Sequence, residues 1–302
     1  MVSQHLFLQK EEDKVMSKLS VVLAVFNEEN YLKDCLDSVK EIADEIVIVD
    51  GGSSDRTVEI AKLFKAEIIE TNNPPIFHIN KQKALEKATY EWILQLDADE
   101  RITFKLANEI KKLTEMDAAG LEDYQNNLPG RKLFKRHQKL IEIRDGRVGD
   151  SEGPFNAFFI PRRNFFLGKY LKYGGTYPDP AIRLVKKDMA YFPAKDVHEQ
   201  MQVKGRVGWL QNYMLHRDSP TFERYLERNN RYIKLIVNEL RRDGVGKGPS
   251  QWINYILVKP VHWFLLTQIR HKGILDGWQG IVFSFFSALR FPRAYWRYLQ
   301  RT

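Results

Sequence analysis

The sequence predicts an α/β fold whose sheet is mostly parallel. Four short runs rich in branched apolar residues alternate with segments whose apolar residues follow helical spacing. Short apolar runs of this kind are typical of strands that are buried on both faces. Strands that alternate with helices of this length are typical of parallel sheets with right-handed crossovers. A chain of 302 residues is long enough to bury one large core, or a core and a smaller appended unit.

The predicted strands and helices alternate over the first hundred residues. The four strand segments are LSVVLAV at 19–25, EIVIVD ending at Asp50, AEIIE at 66–70 and WILQL ending just before Asp97. Helices are predicted between them on three apolar sets: Leu32, Cys35, Leu36 and Val39; Val58, Ile60, Ala61 and Phe64; Ala84, Leu85 and Ala88. Ligands of such sheets bind beyond the carboxyl ends of the strands, where the polar residues of this chain also cluster.

Changes in composition divide the chain into three regions. We expect a flexible leader over 1–17, an α/β domain over 18–218 and a helical region over 219–302. Residues 117–158 are charged, contain Gly and Pro and have only weak periodicity. Such a stretch is typical of a long loop or mobile insertion that covers a site.

Positive charge is concentrated near the C-terminus. The formal net charge is +8, and residues 250–302 hold seven Lys or Arg but only one Asp. Four of the six tryptophans lie there as well: Trp252, Trp263, Trp278 and Trp296. Basic residues mixed with aromatic ones are typical of a surface that binds a polyanion or an anionic membrane. No run reaches the ~18 uninterrupted apolar residues of a spanning helix, so we expect the protein to lie on a membrane without crossing it.

The apolar residues of this region also allow a different interpretation. Phe264, Leu265 and Ile269 share one predicted helical face, and a later helix carries a second apolar face. These faces suit a membrane surface, but they equally suit packing on the α/β domain or on a second subunit. The single cysteine, Cys35, excludes an intramolecular disulfide, and no early run resembles a secretory signal. We therefore expect a cytoplasmic protein at the inner face of the cell membrane.

The strongest chemical signal is Asp97-Ala98-Asp99, directly after the apolar run WILQL. Two carboxylates separated by one residue at a strand end can both turn toward one hard cation. Mg²⁺ and Mn²⁺ accept such oxygen ligands and would bridge them to a diphosphate. The alternative is an acidic turn that caps the next helix.

Three motifs follow one another along the chain: VVLAVFNEENYLKDCLDSV, IVIVDGGSSDRTVEIA and LEKATYEWILQLDADE. In this order they resemble the family 2 glycosyltransferases, and most closely the branch that includes lipopolysaccharide-core transferases. The resemblance is close over 19–103 and looser over 183–200 and 274–280. It implies a GT-A-type catalytic domain within 18–218. It also implies metal-assisted, inverting transfer of a sugar from a nucleotide-diphospho-sugar donor, with UDP as the nucleotide. The implied acceptor is a hydroxyl of a cell-envelope or lipid-linked saccharide.

The resemblance implies roles for residues at the ends of the first two strands. Those that would border the base and the ribose are Ala24, Asn27, Glu28, Asp50, Gly51 and Gly52. Asp50 would hydrogen-bond the base, and the two glycines would let the backbone approach it closely. The alternative is an ordinary tight turn whose capping groups are Ser53, Ser54 and Asp55.

A second set of residues would surround the diphosphate and a divalent metal, Mn²⁺ or Mg²⁺. Asp97 would lie near the ribose and the metal, and Asp99 would ligate the metal. Lys81 and Arg183 would contact phosphate, although each can equally be a solvated or carboxylate-paired cation. His198 or His216 would supply a further metal ligand, although a single histidine is more often a packed or surface residue.

An inverting transfer also needs a base that takes the proton of the acceptor hydroxyl. Many members of the family carry a Glu-Asp pair about 100 residues after the paired aspartates, whereas this chain has Asp196-Val197-His198-Glu199. The His-Glu pair resembles the lipopolysaccharide-core branch. We therefore favour Glu199 as the base, with Asp196 as second choice and His198 as a group that orients the carboxylate.

Other function classes fit less well. A sugar nucleotidyltransferase needs a glycine-rich loop and a basic residue after the first strand, where this chain has Phe26-Asn27-Glu28-Glu29. A Rossmann dehydrogenase needs GxGxxG at the same place. We expect no nucleic-acid partner, because the strand-end aspartates would repel phosphate in the absence of a metal. A catalytically inactive scaffold, or a protein that binds another polyanion, remains an alternative.

Overall fold

The computed structural model describes residues 17–193 and 200–300, which divide into two compact units. The first unit takes in the chain up to Ala98, together with Phe104–Phe159 and Ile182–Leu210. The second takes in Asp99–Thr103, Ile160–Ala181 and the chain from Gln211 onward. The units therefore interleave along the chain, which differs from the single boundary at 218/219 that composition predicted.

The strands in the described part of the chain are β1 (Leu19–Val25), β2 (Glu45–Asp50), β3 (Glu67–Glu70), β4 (Trp92–Leu96), β5 (Glu100–Ile102), β6 (Phe155–Ile160), β7 (Arg162–Phe166), β8 (Lys169–Tyr170), β9 (Ala181–Lys186), β10 (Ala190–Tyr191), β11 (Gln202–Val203), β12 (Arg206–Trp209) and β13 (Met214–Ser219). The α-helices there are α1 (Leu32–Val39), α2 (Thr57–Leu63), α3 (His78–Lys87), α4 (Phe104–Thr114), α5 (Ala118–Asn126), α6 (Arg131–Asp145), α7 (Phe222–Arg242), α8 (Pro249–Ile253), α9 (Lys259–Leu265), α10 (Trp278–Ala288) and α11 (Arg290–Gln300).

The first unit is built on a seven-stranded sheet in the order β12-β6-β9-β4-β1-β2-β3. β1 is parallel to both of its neighbours, and the pairs β2–β3 and β6–β12 are parallel as well. β9 runs antiparallel to β4. The mostly parallel sheet predicted from the sequence is therefore confirmed, and all four predicted strands belong to it.

The burial of the strands and of α1 explains why their apolar patterns could be recognised in the sequence. β4 is buried at every position, and β1 at every position except Ala24. The helix α1 buries the four residues whose spacing predicted it, and α3 packs against β1 and β2. Because the central strands are covered on both faces, they carry continuous apolar runs rather than an alternating pattern.

Residues 117–158 differ from the long loop that the sequence predicted, because they contain the helices α5 and α6. The fifteen-residue helix α6 buries only Phe134 and Ile141, so most of its positions are charged and its apolar period is weak. Phe134 stacks on Trp209 of β12, with 4.7 Å between ring centroids and 6° between ring planes. On α5, the Gln125 side chain both donates to the Trp209 carbonyl and accepts from its backbone N–H. Two anchors on one tryptophan therefore hold this segment to the sheet.

The second unit combines a four-stranded sheet, in the order β5-β13-β7-β8, with the helices α7 to α11. β13 is parallel to β7 and antiparallel to β5. The long helix α7 buries one face along its length and packs against α11. Helical structure is continuous from α8 to residue 270, because π-helical turns at Asn254–Val258 and Leu266–Arg270 follow α8 and α9. None of the helices in 17–193 and 200–300 is both long and apolar enough to cross a membrane.

We predict that Phe134→Ala lowers the free energy of unfolding by about 3 kcal/mol, because it removes a buried ring and leaves a cavity beside Trp209. Leu133→Ala is the matched control, since Leu133 is 42% exposed and Phe134 4% exposed. Its cost should stay below about 1 kcal/mol. Urea unfolding followed by far-UV circular dichroism measures both. Equal losses in the two variants would contradict the anchoring of α6 through Phe134.

Candidate active site

The loops that follow β1 and β2 are tied to each other in the first unit. Asn27 has a positive φ of 55°, which asparagine tolerates better than most residues. Its backbone N–H donates to the Ser53 hydroxyl over 2.9 Å, and its side-chain oxygen accepts from the Ser54 N–H over 2.9 Å. The Glu28 N–H donates to the Thr57 hydroxyl over 2.7 Å. Two residues predicted to border a nucleotide are thus held by the serines and threonine of the next strand-end loop.

Asp50 is buried at the end of β2, and its carboxylate organises the turn that follows. One oxygen accepts from the backbone N–H groups of Gly52 and Ser53, over 3.0 and 2.9 Å, and the other accepts from the Ser53 hydroxyl. A carboxylate has about four lone-pair sites, so the turn leaves about one for a ligand. The tight, capped turn that was the alternative to a nucleotide-binding role is therefore present. A contact from Asp50 to a base would use the remaining lone-pair site.

Close approach of the backbone explains the two glycines. A Cβ on Gly51 would lie 3.1 Å from the Asn73 Cβ, and Gly52 has a φ of +84°. Ala24 lies in β1 opposite Val49 of β2, at the strand end where these loops begin. Ala24, Asn27, Asp50 and the glycines therefore share one edge of the sheet, as the parallel strands required.

Asp97 lies between two buried cations in the same unit. Lys81 of α3 pairs with one carboxylate oxygen, and Arg183 of β9 pairs with the other. Arg183 also donates to the side-chain oxygen of Gln95. The Asp97 side chain is 30% exposed, whereas those of Lys81 and Arg183 are 8% and 7% exposed. Both cations predicted to contact phosphate are thus committed to Asp97, and the three groups together keep one net positive charge.

The ion cluster also sets the protonation of Asp97. Burial by itself raises the pKa of this carboxyl, but the charges and hydrogen bonds of Arg183 and Lys81 outweigh burial. The pKa of Asp97 therefore lies well below its ordinary value of 3.8. Asp97 is a carboxylate at any physiological pH, and its oxygens face protein cations.

Asp99 and His216 meet in the second unit. The Asp99 carboxylate lies 3.4 Å from His216 Nε2. The register of β13 sets His216 opposite Glu100 of β5 on one side and opposite Asn164 of β7 on the other. On the far side of the ring, Nδ1 lies 2.8 Å from the side-chain oxygen of Asn164.

A chain of hydrogen bonds fixes which nitrogen of His216 carries a proton. The Asn164 amide group donates to Asp179 over 2.9 Å, so its oxygen must face His216 and accept from Nδ1. Nε2 then faces Asp99 either with a second proton or with a lone pair. In the second form, a nitrogen lone pair and a carboxylate point at the same space, and a cation there would satisfy both.

Asp179 is the charged end of this chain. Burial raises its pKa, but the guanidinium of Arg162, the hydrogen bond from Asn164 and the nearby His216 together lower it below the ordinary value. Arg162 also pairs with Glu100, over 3.4 Å. The hydrogen-bonded chain from His216 through Asn164 therefore ends at Asp179, which is held in its carboxylate form.

Asp99 and His216 offer a divalent metal one carboxylate and one imidazole nitrogen. Asp218 lies further off, with a carboxylate oxygen 3.9 Å from His216 Nε2, and that oxygen is paired with Arg228. The described residues contain no group of three or more His, Cys, Asp or Glu side chains arranged to hold an ion. Mg²⁺ and Mn²⁺ commonly take one or two carboxylates and fill their other positions with water and substrate phosphate. An oxygen and an imidazole nitrogen fit that pattern.

Three predicted residues, Asp196, His198 and Glu199, lie outside the described residues. Sequence reasoning missed Gln95, Asn164 and Asp179. Gln95 carried a readable signal, because it is the only polar residue in the buried run WILQL. Asn164 and Asp179 lie in polar segments without a motif, so nothing in the sequence distinguished them.

Comparison with known proteins decides the family. The model of the family Glycosyl transferase family 2 matches residues 20–187, which is more than half of the chain. The chain belongs to this family. It is a glycosyltransferase, and its mostly parallel sheet flanked by helices is the GT-A-type fold that the resemblance implied.

Two relatives in sequence agree with this assignment. An uncharacterized glycosyltransferase of Rickettsia bellii (strain RML369-C) is 34% identical over 91% of this chain and 84% of its own length. The lipopolysaccharide core biosynthesis glycosyltransferase LpsC of Rhizobium meliloti (strain 1021) is 26% identical over 90% of this chain and 91% of its own. Among solved structures, residues 1–349 of S. aureus TarS in complex with UDP match at 15% identity and a TM-score of 0.39, covering 93% of this chain and 91% of that one.

We predict that Asp97→Asn lowers the free energy of unfolding by about 3 kcal/mol at neutral pH, because it removes the negative charge that two buried cations, Lys81 and Arg183, both contact. The folded-state pKa of Asp97 is depressed, so the advantage of the wild type is fully present above the ordinary value of 3.8 and is lost as pH falls through the folded-state value. Urea titrations at several pH values measure this difference. Asp34→Asn, on the exposed side of α1, is the control and should change stability little at any pH. A pH-independent difference between wild type and Asp97→Asn would contradict the ion cluster.

Proposed function

We propose that this glycosyltransferase moves a sugar from a nucleotide-diphospho-sugar, with UDP as the nucleotide, to a hydroxyl of a cell-envelope or lipid-linked saccharide, with inversion at the anomeric carbon. The observation that carries the proposal is the Asp99 carboxylate facing His216 Nε2. Asp99 comes shortly after the buried strand β4 in the sequence, and the pair of groups suits a cation that binds a diphosphate. The family membership supports sugar transfer, and the name of the relative LpsC supports a cell-envelope saccharide.

In this proposal the donor nucleotide lies along the strand-end loops of the first unit. The base meets the remaining lone-pair site of Asp50, where the glycines keep the backbone close. The loop of Asn27 and Glu28 borders the ribose, and its bonds to the next loop hold its shape before the donor arrives. Lys81 and Arg183 hold Asp97, and their positive charge favours the diphosphate.

The divalent cation, Mn²⁺ or Mg²⁺, would be held by Asp99 and His216, and when bound it would stabilise the departing diphosphate. Asn164 keeps the His216 lone pair directed at the ion. Glu199 takes the proton of the acceptor hydroxyl as that oxygen attacks the anomeric carbon, and Asp196 is the second candidate for this base. His198 orients the Glu199 carboxylate or serves as an additional ligand.

We also propose that the enzyme works at the inner face of the cell membrane, where a lipid-linked acceptor would be exposed. The cationic and aromatic residues of 250–302 support this location. Anionic headgroups attract such residues, and aromatic side chains favour the interface between headgroups and acyl chains.

A scaffold without catalytic activity is the second candidate. It is favoured by the commitment of both Asp97 oxygens to protein cations and by the absence of a three-residue metal group among the described residues. A scaffold of this kind would bind neither nucleotide nor metal, so the two candidates differ in one direct measurement.

We predict that calorimetric titration with UDP shows binding that requires Mn²⁺, and that Asp99→Ala abolishes it without changing the circular dichroism spectrum. The carboxylate serves the ion rather than a packed core, so its loss should spare the fold. Asp123→Ala, an exposed carboxylate on α5, is the matched control and should bind as the wild type does. Unchanged binding in Asp99→Ala would remove the metal assignment. No binding of any nucleoside diphosphate by the wild type would favour the scaffold.

We predict that Asn164→Ala weakens Mn²⁺ binding about 10- to 100-fold, because His216 loses the group that fixes its proton on Nδ1. Electron paramagnetic resonance titration measures free Mn²⁺, and ¹⁵N chemical shifts of the His216 ring report the tautomer. In a His216→Ala background the same substitution should cost nothing further, since Asn164 acts through the histidine. Additive losses in the double variant would show that Asn164 does not act through His216.

A further inference from the structure

The second unit carries a line of exposed aliphatic side chains along the helix that runs from Pro249 to Arg270. Every fourth residue of this helix is a large aliphatic one, and each is between 48% and 72% exposed. We call this line the apolar stripe: Ile253, Leu257, Val261, Leu265 and Ile269. Isolated exposed apolar residues are ordinary, but a contiguous apolar surface marks an interaction site.

The alternation of α and π turns keeps the stripe straight. In an α-helix the fourth residue overshoots one full turn by about 40°, so a repeat of four would wind around the helix. A π turn is wider, because its hydrogen bonds close from i to i+5, and there the fourth residue falls short of a full turn. The segments Asn254–Val258 and Leu266–Arg270 are π-helical, and they offset the overshoot of the α segments.

The turn after this helix carries three further exposed apolar side chains, Ile274, Leu275 and Trp278, which we call the tip. Ile274, Leu275 and Trp278 are between 58% and 60% exposed. Beneath them the buried Asp276 carboxylate accepts from the backbone N–H groups of Lys172 and Tyr173, over 3.1 and 2.8 Å. A frame this well bonded presents its apolar side chains to the surroundings instead of folding them inward.

The buried amide of Gln268 adds a second fastening. It donates to the Gly280 carbonyl over 3.0 Å and to the Ser284 hydroxyl over 2.6 Å. The packing there is tight enough that a Cβ on Gly280 would overlap the Gly273 carbonyl oxygen, at 2.0 Å. The turn that carries the tip is therefore fixed to both the preceding helix and α10.

The exposed charges of the segment that carries this surface have one sign. In residues 249–300 the only acidic residue is Asp276, and it is buried. The basic residues of the same segment are Lys259, Arg270, Lys272, Arg290, Arg293 and Arg297. Arg270 and Lys272 are exposed in the turn between the stripe and the tip. The apolar surface is thus bordered by cations, with no carboxylate of this segment exposed to repel an anionic partner.

We propose that the apolar stripe and the tip dock on an anionic lipid bilayer, with the aliphatic side chains and Trp278 entering the interface and Arg270 and Lys272 contacting lipid phosphates. An interfacial helix buries its apolar face about 5–10 Å into the boundary between headgroups and acyl chains. A second copy of this chain fits less well, because two cationic surfaces would face each other. The inference rests on the proposed function for the membrane location of the acceptor, and it names the residues that make the contact.

The test is flotation of the full chain with vesicles of phosphatidylcholine, with and without phosphatidylglycerol. The stripe variant Leu257→Ser/Leu265→Ser/Ile269→Ser should bind anionic vesicles at least tenfold more weakly than the wild type. The matched control is Leu63→Ser/Phe104→Ser/Ile143→Ser, three exposed apolar residues of the first unit, which should bind as the wild type does. Raising the salt from about 0.1 M to about 1 M should weaken wild-type binding, because the Debye length falls from about 10 Å to about 3 Å.

Further measurements separate this proposal from its alternatives. Calorimetry with UDP and Mn²⁺ should give the same affinity for the stripe variant as for the wild type. A wild type that binds UDP but no anionic vesicle would overturn the membrane contact and leave the proposed function standing. A wild type that binds anionic vesicles but no nucleotide would support the membrane contact and contradict the proposed function. A wild-type dimer that the stripe variant converts to a monomer, with no vesicle binding by either, would assign the surface to a second copy of the chain.

Discussion

The geometry of the strand ends depends on the buried ion cluster of Lys81, Asp97 and Arg183. Each group would be costly to bury alone, so the three can occupy this position only together. They come from α3, from the turn directly after β4 and from β9, and the cluster therefore joins three parts of the chain that are far apart in the sequence. The antiparallel register of β9 on β4 pairs Leu184 with Leu94, and one step further it brings Arg183 beside Gln95. The position of the arginine thus follows from strand pairing.

The parts of the fold that the sequence predicted are those with many buried residues per turn or strand. Strands β1 to β4 are nearly continuous apolar runs, and α1 buries four of its eight residues. The helices α5 and α6 escaped prediction because each buries only two residues in the described structure. Their attachment depends on contacts with Trp209 of β12, a strand that follows α6 by about sixty residues. Helical periodicity relates only residues a few positions apart in the sequence, so it does not reveal such a contact.

The features of the candidate site also divide into those that the sequence predicted and those that depend on the arrangement of strands. Asp50 ends β2, and Asp97 and Asp99 follow shortly after β4, so position alone marked them. The pairing of Asp99 with His216 depends instead on β13 lying between β5 and β7, an arrangement of short strands that carry weak patterns. The segment ILDGWQG resembled the family without an evident reason. Its Asp276 and Gly280 are needed for the turn that carries the exposed tip, so that part of the resemblance has a structural basis.

The π turns fix the directions of the side chains along the helix from Pro249 to Arg270. Each behaves as a residue inserted into an α-helix and absorbed by widening one turn, so the residues on either side keep their directions. If the same residues formed an uninterrupted α-helix, Ile253 would be rotated by about 100° relative to Leu265. The composition would be unchanged, yet the aliphatic side chains would face different directions. The surface of this helix is therefore specified by its hydrogen-bond pattern as much as by its residue types, and an ungapped alignment with a helix that lacks a π turn would compare faces that do not correspond.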